Sequence, residues 1–326
     1  MPIAKDRRSV LMLGVAAGAA LAAPQAMVRP AHARTPMSQV ANPGFYRFRL
    51  GAFEITAIND GQRPGDGIHA IFSVGRDEAE VSALLEENFL PAGRFVNSFT
   101  PTLVNTGSEL VLFDTGLGAG ARGNGLGQLA AALAASGYAP EDVSVVVITH
   151  FHGDHIGGLM ENGAPAFANA RYVAGQAEYD FWTAAARQTG PTENAARAVQ
   201  ANVVPLAEKM RFIGDGGEVA PGIAGMLAAG HTPGHMIFHL ESEGRRLLLT
   251  ADTANHYVAS LRRPDWHVAF DMDRDAGAAT RKRVFDMVAA ERIPFLGYHM
   301  PFPAVGFAEK LDIGYRFVPA SYQFLL

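Results

Sequence analysis

Cysteine is absent from the 326 residues of the chain, and this absence excludes two kinds of structure. The chain can form no disulfide bond, and no thiolate can bind a metal ion. Any metal site must therefore be built from histidine nitrogens and carboxylate oxygens. The sequence contains 11 histidines, and these are the first residues to examine.

Clustered charge is also missing. Charged residues make up 18% of the sequence, the formal net charge is −5, and lysine and arginine form no stripe. Proteins that bind nucleic acids concentrate positive charge against the phosphates, so no nucleic acid partner is expected. Apolar residues make up 48% of the chain, which is enough for a sizeable core.

Long apolar runs are confined to the first residues. The uncharged stretch 10–23 follows a basic start, and Ala31-His32-Ala33 fits the small-x-small pattern of a signal-peptide cleavage site. The stretch is too short to cross a bilayer comfortably as a mature helix. We therefore predict a signal peptide at 1–33 and a linker at 34–44.

The predicted destination of the protein follows from this signal. A cleaved signal peptide implies a periplasmic or secreted protein with no mature membrane span. The adjacent Arg7 and Arg8 ahead of the apolar stretch favour the twin-arginine route. An ordinary secretory signal and a buried N-terminal helix are the alternatives.

The remainder, 45–326, alternates strand and helix patterns as expected for one α/β domain. Strands are predicted at 45–60, 99–116, 143–149, 171–174, 223–229, 238–240, 246–250 and 294–297, and helices at 77–93, 126–136, 176–187 and 275–291. The first two strand segments are each predicted to turn back as a hairpin, at Gly51 and at Thr106-Gly107-Ser108.

The strongest chemical signal directly follows the β-branched strand 143–149. His150, His152, Asp154 and His155 lie within six positions. Crowded imidazoles gain little without a metal, because charged ones repel and neutral ones need partners. Alternate residues of an extended segment point the same way, so the first two histidines can share one ion and the other two residues can reach a second.

Three further candidates also follow predicted strands. His231 lies in GHTPGH, Asp252 in TADT and His299 in GYHMPFP. Ligands at strand ends are held by rigid elements while the loops shape a pocket. The sequence therefore offers seven side chains for a metal centre.

In their order and approximate spacing, these motifs resemble the metallo-β-lactamase superfamily over essentially the whole mature chain. Within it, FYRFRLGAFEITAINDG, LVNTGSELVLFDTG and GYRFVPASY are similar to the exported branch that contains methyl parathion hydrolase. The resemblance implies an α/β fold, the αββα four-layer sandwich. It implies that His150, His152 and His231 bind one metal ion, that Asp154, His155 and His299 bind a second, and that Asp252 bridges the two.

The resemblance also implies a mechanism. Two divalent ions, zinc first and iron, manganese or cobalt as alternatives, would hold a bridging hydroxide that attacks a carbonyl or phosphoryl centre. Asp252 and Asp154 are the predicted catalytic residues, and Asp252 or a metal-bound water would return the proton to the leaving group. The chain has no cysteine nucleophile and no GxSxG elbow, which favours the metal route.

The substrate is less well defined than the reaction. A lactone or an aryl ester is the first prediction, and a phosphotriester is the alternative implied by methyl parathion hydrolase. The stretches 117–127 and 193–202 contain no aromatic residue, whereas the phosphotriesterase pattern has pocket aromatics there. A β-lactamase and a metal-binding module without turnover are further alternatives, and a homodimer is also considered.

Several other residues are weighed against structural roles. Trp182, His256 and Trp266 are candidates for the substrate pocket, with core packing as the alternative. Asp114, in DTG, is a candidate for orienting a ligand histidine or for capping a turn. His235 lies four residues after His231 and is expected to be structural.

Overall fold

A computed structural model of the chain describes residues 44–321. The predicted signal peptide, 1–33, and nearly all of the predicted linker, 34–44, lie outside the described residues. The described part falls within one compact unit, Ala41–Leu326. No helix within it combines the length and the apolar character that a membrane span needs.

Strands supply most of the regular structure. Within the described residues they are β1 (Phe45–Leu50), β2 (Phe53–Ile58), β3 (Gly61–Asp66), β4 (Arg94–Phe99), β5 (Thr102–Asn105), β6 (Leu110–Phe113), β7 (Val145–Ile148), β8 (Met160–Glu161), β9 (Ala164–Pro165), β10 (Arg171–Gly175), β11 (Met210–Ile213), β12 (Glu218–Ala220), β13 (Ile223–Leu227), β14 (Met236–Ser242), β15 (Arg245–Ala251), β16 (Phe295–Gly297), β17 (Val305–Lys310) and β18 (Tyr315–Pro319).

Helices connect these strands. The α-helices of the described part are α1 (Ile68–Phe72), α2 (Glu78–Glu87), α3 (Leu129–Ser136), α4 (Gly153–Ile156), α5 (Gln176–Thr183), α6 (Glu193–Asn202), α7 (Ala259–Arg262) and α8 (Arg274–Glu291). Short 3-10 turns lie at Ala119–Asn124, Pro140–Asp142, Ala185–Arg187, Gly190–Thr192 and Val204–Lys209.

The strands form two large sheets and two short ribbons. The first seven-stranded sheet has the order β1-β2-β5-β6-β7-β10-β11, the second has the order β12-β13-β14-β15-β16-β17-β18, and β3-β4 and β8-β9 are two-stranded ribbons. The predicted hairpins are confirmed, since β1 pairs antiparallel with β2 and β5 pairs antiparallel with β6. Gly51 turns the first hairpin with a φ of 57°, a conformation that costs glycine little.

Successive side chains of β7 point alternately into two hydrophobic cores, one on each face of the first sheet. Val145 and Val147 of β7 face the second sheet, and Val146 and Ile148 face the helices on the other side. Between the sheets, the rings of Phe113 and Phe238 lie 5.1 Å apart. A β-branched run such as VSVVVIT is typical of a strand that is buried on both faces.

Helices cover the outer face of each sheet. Leu133 of α3, Trp182 of α5 and Val199 of α6 pack in the cluster beneath the first sheet, and Val284 and Phe285 of α8 pack in the cluster of the second. The layers are therefore helix, sheet, sheet, helix, which confirms the predicted αββα sandwich.

One edge of the sandwich collects the ends of several strands. The strands β15 and β16 run parallel, so their carboxyl ends meet at this edge. The backbone N–H of Met236 donates to the carbonyl of Thr149 at 2.9 Å and ties the start of β14 to the loop after β7. The loops that carry the candidate ligands are thus fixed against each other.

Candidate metal centre

The HFHGDH segment leaves β7 in an extended conformation and then turns into a short helix. His152 has φ −73° and ψ 155° and precedes α4, whose first turn carries Asp154 and His155. Since His150 and His152 are alternate residues of extended chain, both rings point to one side. The helical turn then directs the next two ligand candidates elsewhere.

All seven candidates converge at the edge of the sandwich. Potential ligand atoms lie within 4.8 Å of one another in three overlapping groups: His150, His152 and His231; His150, His155 and Asp252; Asp154, His155 and His299. The first and third groups are the two sets implied by the sequence resemblance.

Asp252 lies between these two sets. Its Oδ1 is 3.2 Å from His155 Nε2, and its Oδ2 is 3.3 Å from His231 Nε2 and 3.1 Å from His299 Nε2. One carboxylate therefore faces histidines of both sets, which is the arrangement needed for a bridging ligand.

The outer nitrogens of three ligand rings are held by acceptors. His155 Nδ1 lies 2.8 Å from Asp114 Oδ2, His231 Nδ1 lies 2.9 Å from Asp271 Oδ1, and His299 Nδ1 lies 2.8 Å from the carbonyl of Ser98. A carbonyl or carboxylate oxygen can only accept, so each Nδ1 carries a proton, and Nε2 is the nitrogen that is left to bind a metal ion. Metal-binding histidines are oriented in this way.

The inner atoms fit divalent cations. His155 Nε2 and His299 Nε2 both face oxygens of Asp252, and His155 Nε2 and Asp252 Oδ1 are buried without a hydrogen-bond partner. His152 Nδ1 and His231 Nε2 approach to 2.9 Å. Basic nitrogen and oxygen atoms this close together repel unless a proton or a metal cation lies between them, and nitrogen with oxygen is a donor set that zinc accepts.

Burial and charge divide the histidines into two kinds. Burial lowers the pKa of His152 to about 3 and holds that of His150 well below its ordinary value. For His155, burial acts in the same direction, but the carboxylates of Asp114, Asp252 and Asp154 raise its pKa well above the ordinary value. The imidazoles of His150 and His152 are therefore neutral near neutral pH and can bind a metal ion directly. The imidazole of His155 would release a proton when a metal ion binds.

A cavity of about 440 Å³ opens over the centre. Its walls include five of the ligand candidates, which are His152, Asp154, His231, Asp252 and His299. The remaining wall residues are Arg63, Asn97, Phe99, Leu117, Gly153 and Phe270. A small ester or lactone can reach the centre from this side, and the cavity has room for little more than a drug-sized ligand.

The other predicted residues are found in different places. Asp114 accepts hydrogen bonds from Thr149 N and Oγ1 at 2.8 and 2.9 Å in addition to its contact with His155. Trp182 is 2% exposed and Trp266 1% exposed, both are packed in the core, and neither lines the cavity over the centre. His256 lines an adjoining apolar cavity instead.

His235 has a structural position. Its Nδ1 lies 3.1 Å from the carbonyl of Ala228, which can only accept, so Nδ1 donates. Its Nε2 is then free to accept from the backbone N–H of Asp252, at 3.1 Å. The neutral ring, whose pKa burial lowers to about 3, holds the backbone of the bridging residue in place.

Three supporting residues were not anticipated from the sequence. Asp271 joins His231 to the buried guanidinium of Arg281, whose Nη2 donates to it at 2.9 Å. Glu178 accepts from Phe151 N and from Gly234 N, both at 2.9 Å, and links the two ligand loops. No local sequence pattern indicates these contacts, because Asp271 is 40 residues from His231 and Glu178 is 27 residues from Phe151.

Tyr298 is the third such residue. Its hydroxyl donates to the backbone carbonyl of Asp154 at 2.6 Å, and its ring centroid lies 4.0 Å from that of His155. Burial raises the pKa of Tyr298 well above its ordinary value, so the phenol keeps its proton and remains a donor. Its position beside His299 in the sequence was the only available signal.

Comparisons with known sequences agree with this geometry. A family model described as the metallo-beta-lactamase superfamily matches residues 99–294. An N-acyl homoserine lactonase from Bacillus sp is 28% identical over 163 residues, which is 50% of this chain and 58% of that protein. One from Bacillus thuringiensis is 32% identical over 119 residues, 36% of this chain and 41% of that protein. The chain thus matches only about half of the length of these relatives.

Solved structures resemble the fold over most of the chain. The dizinc quorum-quenching lactonase AidC, in complex with a product, has a TM-score of 0.76 and 27% identity, covering 86% of this chain and 98% of that one. The hydrolase AbOPH has a TM-score of 0.79 and 26% identity, covering 87% of this chain and 99% of that one. The likeness therefore includes the edge at which the ligands converge.

Proposed function

Because the chain belongs to the metallo-β-lactamase superfamily, we propose that it is a hydrolase that opens lactones or cleaves aryl esters. It would use two divalent metal ions, with zinc as the preferred metal. The observation that carries this proposal is the position of Asp252, whose two oxygens face histidines of both ligand sets. The named activity of the similar lactonases supports a lactone as the preferred substrate.

Each ligand set has a defined part in this proposal. His150, His152 and His231 would hold one ion, Asp154, His155 and His299 would hold the other, and Asp252 would touch both. When bound, the two ions supply Lewis acidity, which polarises a carbonyl oxygen and makes hydroxide accessible near neutral pH. The protein contributes the orientation of the ligands and the shape of the cavity.

Two residues fix the bridging carboxylate. Asn255 Nδ2 donates to Asp252 Oδ2 at 3.0 Å, and His235 accepts from the backbone of Asp252. The side chain of Asp252 is only 4% exposed, so its orientation is set by these contacts rather than by solvent.

Asp154 is the better placed carboxylate for proton transfer. Its side chain is 21% exposed and lines the cavity, whereas Asp252 is enclosed by its partners. We assign to Asp154 the transfer of a proton: its carboxylate would accept the proton that the attacking hydroxide gives up as the C–O bond breaks, and would pass it to the leaving alkoxide, which completes ring opening. Phe99, Leu117 and Phe270 supply apolar wall beside it.

A substrate panel with matched variants tests the proposal. Metal-loaded protein is assayed with a γ-lactone, a 4-nitrophenyl ester and paraoxon, and its metal content is measured. We expect the lactone and the ester to be hydrolysed faster than paraoxon, and His152→Ala to lose activity by at least about a hundredfold. His239→Ala, a half-buried histidine on β14, is the control.

The outcomes separate the alternatives. Turnover of paraoxon above that of the lactone and the ester would replace the proposal by phosphotriester hydrolysis. Undiminished turnover in folded His152→Ala would overturn the metal mechanism. Folded, metal-loaded protein that turns over none of the three substrates would contradict the enzymatic proposal and favour a binding module.

We also propose that the protein is exported, on the pattern of residues 1–33. Expression in a bacterial host with its own signal should give a mature protein that begins at residue 34 and is recovered from the periplasm or the medium. Intact mass spectrometry measures this start. A protein that keeps residue 1 and stays in the cytoplasm would contradict export.

A further inference from the structure

A two-stranded ribbon of β3 and β4 overhangs the metal cavity. Arg63 of β3 is directly opposite Asn97 of β4 in this antiparallel pair, so the two side chains lie on the same face. Both line the cavity that contains His152, Asp154 and His299. The neighbouring pair, Gln62 and Ser98, lies on the other face and lines the adjoining apolar cavity.

Within residues 44–321, neither side chain of this pair has a hydrogen-bond or ion-pair partner. Among the described residues, Arg63 forms no hydrogen bond or ion pair, and its guanidinium lies 5.6 Å from the ring centroid of Phe99. Asn97 is only 7% exposed, and its side chain has no hydrogen-bond partner among residues 44–321. The amide atoms of Asn97 remain accessible from the cavity, so they can pair with a bound ligand.

The aromatic contact gives the guanidinium a defined place. Phe99 packs edge-on against His299, with ring centroids 5.5 Å apart. The guanidinium of Arg63 contacts the same phenylalanine ring. A cation held against an aromatic face loses mobility but keeps its donors free. Arg63 thus lines the cavity close to Phe99, which itself contacts the ligand candidate His299.

The charges of the cavity define the ligand. Asp154 and Asp252, the carboxylates of its wall, belong to the metal sets, so no anion of the cavity wall remains for Arg63. Arginine offers a planar fork of donors that matches a carboxylate, and an amide N–H can add a third bond. Arg63 is exposed, so water solvates its guanidinium in the free protein, and a carboxylate is the group that can replace this water with a charge-assisted pair.

We infer that Arg63 and Asn97 form a subsite for a carboxylate on the substrate, so that the lactone or ester is an anionic one. This inference rests on the proposed function, since it takes the metal cavity as the place of hydrolysis. In this inference the β3-β4 ribbon selects the substrate, and the metal ligand sets support its hydrolysis. The substrate class is a lactone or aryl ester that bears a carboxylate away from the scissile bond.

Matched substrate pairs test the inference. One pair is 4-acetoxybenzoate and 4-acetoxybenzamide, and the other is a γ-lactone carboxylate and its carboxamide. For wild-type protein, kcat/KM should be about tenfold or more higher for at least one carboxylate over its amide, as expected for hydrogen bonds to a charged group. Arg63→Gln should abolish this preference by raising KM much more for the carboxylate than for its amide.

Arg94→Gln is the matched control. Arg94 lies on the same ribbon but on the other face, and it is paired with Asp66 at 3.2 Å. Removing its charge alters the net charge of the protein equally, so it should leave the preference intact. Asn97→Asp brings a carboxylate to the subsite and should remove the preference as Arg63→Gln does.

A binding measurement separates this inference from the proposed function. Calorimetric titration with glutarate, which is not hydrolysed, should give a Kd about tenfold weaker for Arg63→Gln than for wild type and Arg94→Gln. If no ester is hydrolysed but this difference is found, the proposed function fails and the subsite stands. Equal turnover of carboxylates and amides by wild type, or equal glutarate binding by Arg63→Gln, would overturn the subsite.

Discussion

Three of the five ligand imidazoles at the centre are held by an acceptor that fixes the proton on the outer ring nitrogen. Asp114, Asp271 and the carbonyl of Ser98 accept from three of the rings. With the outer nitrogen protonated, the inner nitrogen is available as a ligand without reorganisation, and the ring cannot rotate away. The strength of metal binding therefore depends on residues that never touch the metal.

Asp114→Asn should weaken metal binding by about tenfold to a hundredfold, the usual effect of losing such a partner. Asparagine tolerates the positive φ of 60° at this position, so the fold should persist. Competition with a chromophoric chelator measures the affinity. Asp60→Asn is the control, because Asp60 is a buried carboxylate that accepts from backbone N–H groups. Equal affinities for Asp114→Asn and wild type would contradict the role of Asp114.

The seven ligand candidates could be predicted from the sequence because each stands in a short motif at the end of a strand. Their supporting partners could not. Asp271 reaches His231 across 40 positions, and the carbonyl of Ser98 reaches His299 across 201, so only the tertiary packing creates these contacts. Asp114 was the exception, since its DTG motif forms the end of a predicted strand segment.

At the scale of elements, the glycines after the HFHGDH segment allow close approach of two backbones. A Cβ at Gly157 would overlap the carbonyl of Leu117, and one at Gly158 would overlap the carbonyl of Thr115. Gly157 has an ordinary helical φ of −63°, so the need for glycine here comes from close packing against the loop after β6.

Gly158→Ala should destabilise the protein by about 1–3 kcal/mol, the usual cost of overpacking. Gly153→Ala is the matched control, since a Cβ there meets nothing within 4 Å and the residue lies in α4, where alanine is favoured. Urea unfolding measures both variants. A loss of stability in Gly153→Ala equal to that in Gly158→Ala would contradict the packing explanation.

Asp60 joins the end of β2 to the next elements and gives stability a pH dependence. It accepts from Leu117 N and Leu129 N at 2.9 and 2.8 Å, yet burial raises its pKa from 3.8 to about 6. The folded chain keeps this proton where the unfolded chain has lost it. The contribution is therefore complete below pH 3.8 and is lost as the pH rises through about 6.

In metal-free protein, the difference in free energy of unfolding between wild type and Asp60→Asn should fall by about 2 kcal/mol between pH 4 and pH 7. Denaturant unfolding at several pH values measures this difference, and the subtraction removes contributions shared by both proteins. A difference that stays constant or grows with pH would contradict the raised pKa.

The elements that the sequence predicted are those with a local pattern. The hairpin of β1 and β2 has alternation and a turn glycine, and α8 has helical spacing. The ribbon of β3 and β4 was missed because the segment GQRPGD contains a proline, two glycines and no apolar alternation. For this reason Arg63 and Asn97 could not be placed at the cavity from sequence.

At the scale of the whole molecule, the ligands come from both sides of the sandwich. His150 to His155 follow a strand of the first sheet, whereas Asp252 and His299 follow strands of the second. Metal ions would therefore link the two sheets at one edge. The order of strands within each sheet could not be read from local patterns, since β2 pairs with β5 and β7 pairs with β10.

Chelation should lower the thermal stability of the whole protein, because the ions bind the folded chain and not the unfolded one. Each ion present at a thousand times its Kd adds about 4 kcal/mol. Thermal unfolding with a chelator should thus show a lower Tm than the zinc-loaded protein, and added zinc should restore it. A Tm that does not respond to chelator, in protein shown to have lost its metal, would contradict a link between the sheets.

The most direct test is the number of metal ions held by one chain. Native mass spectrometry of zinc-loaded protein should show two ions per chain in wild type, and fewer than two in folded Asp252→Asn, because that residue faces both ligand sets. A single ion in wild type, or two ions retained undiminished in Asp252→Asn, would contradict a centre in which one carboxylate joins two metals.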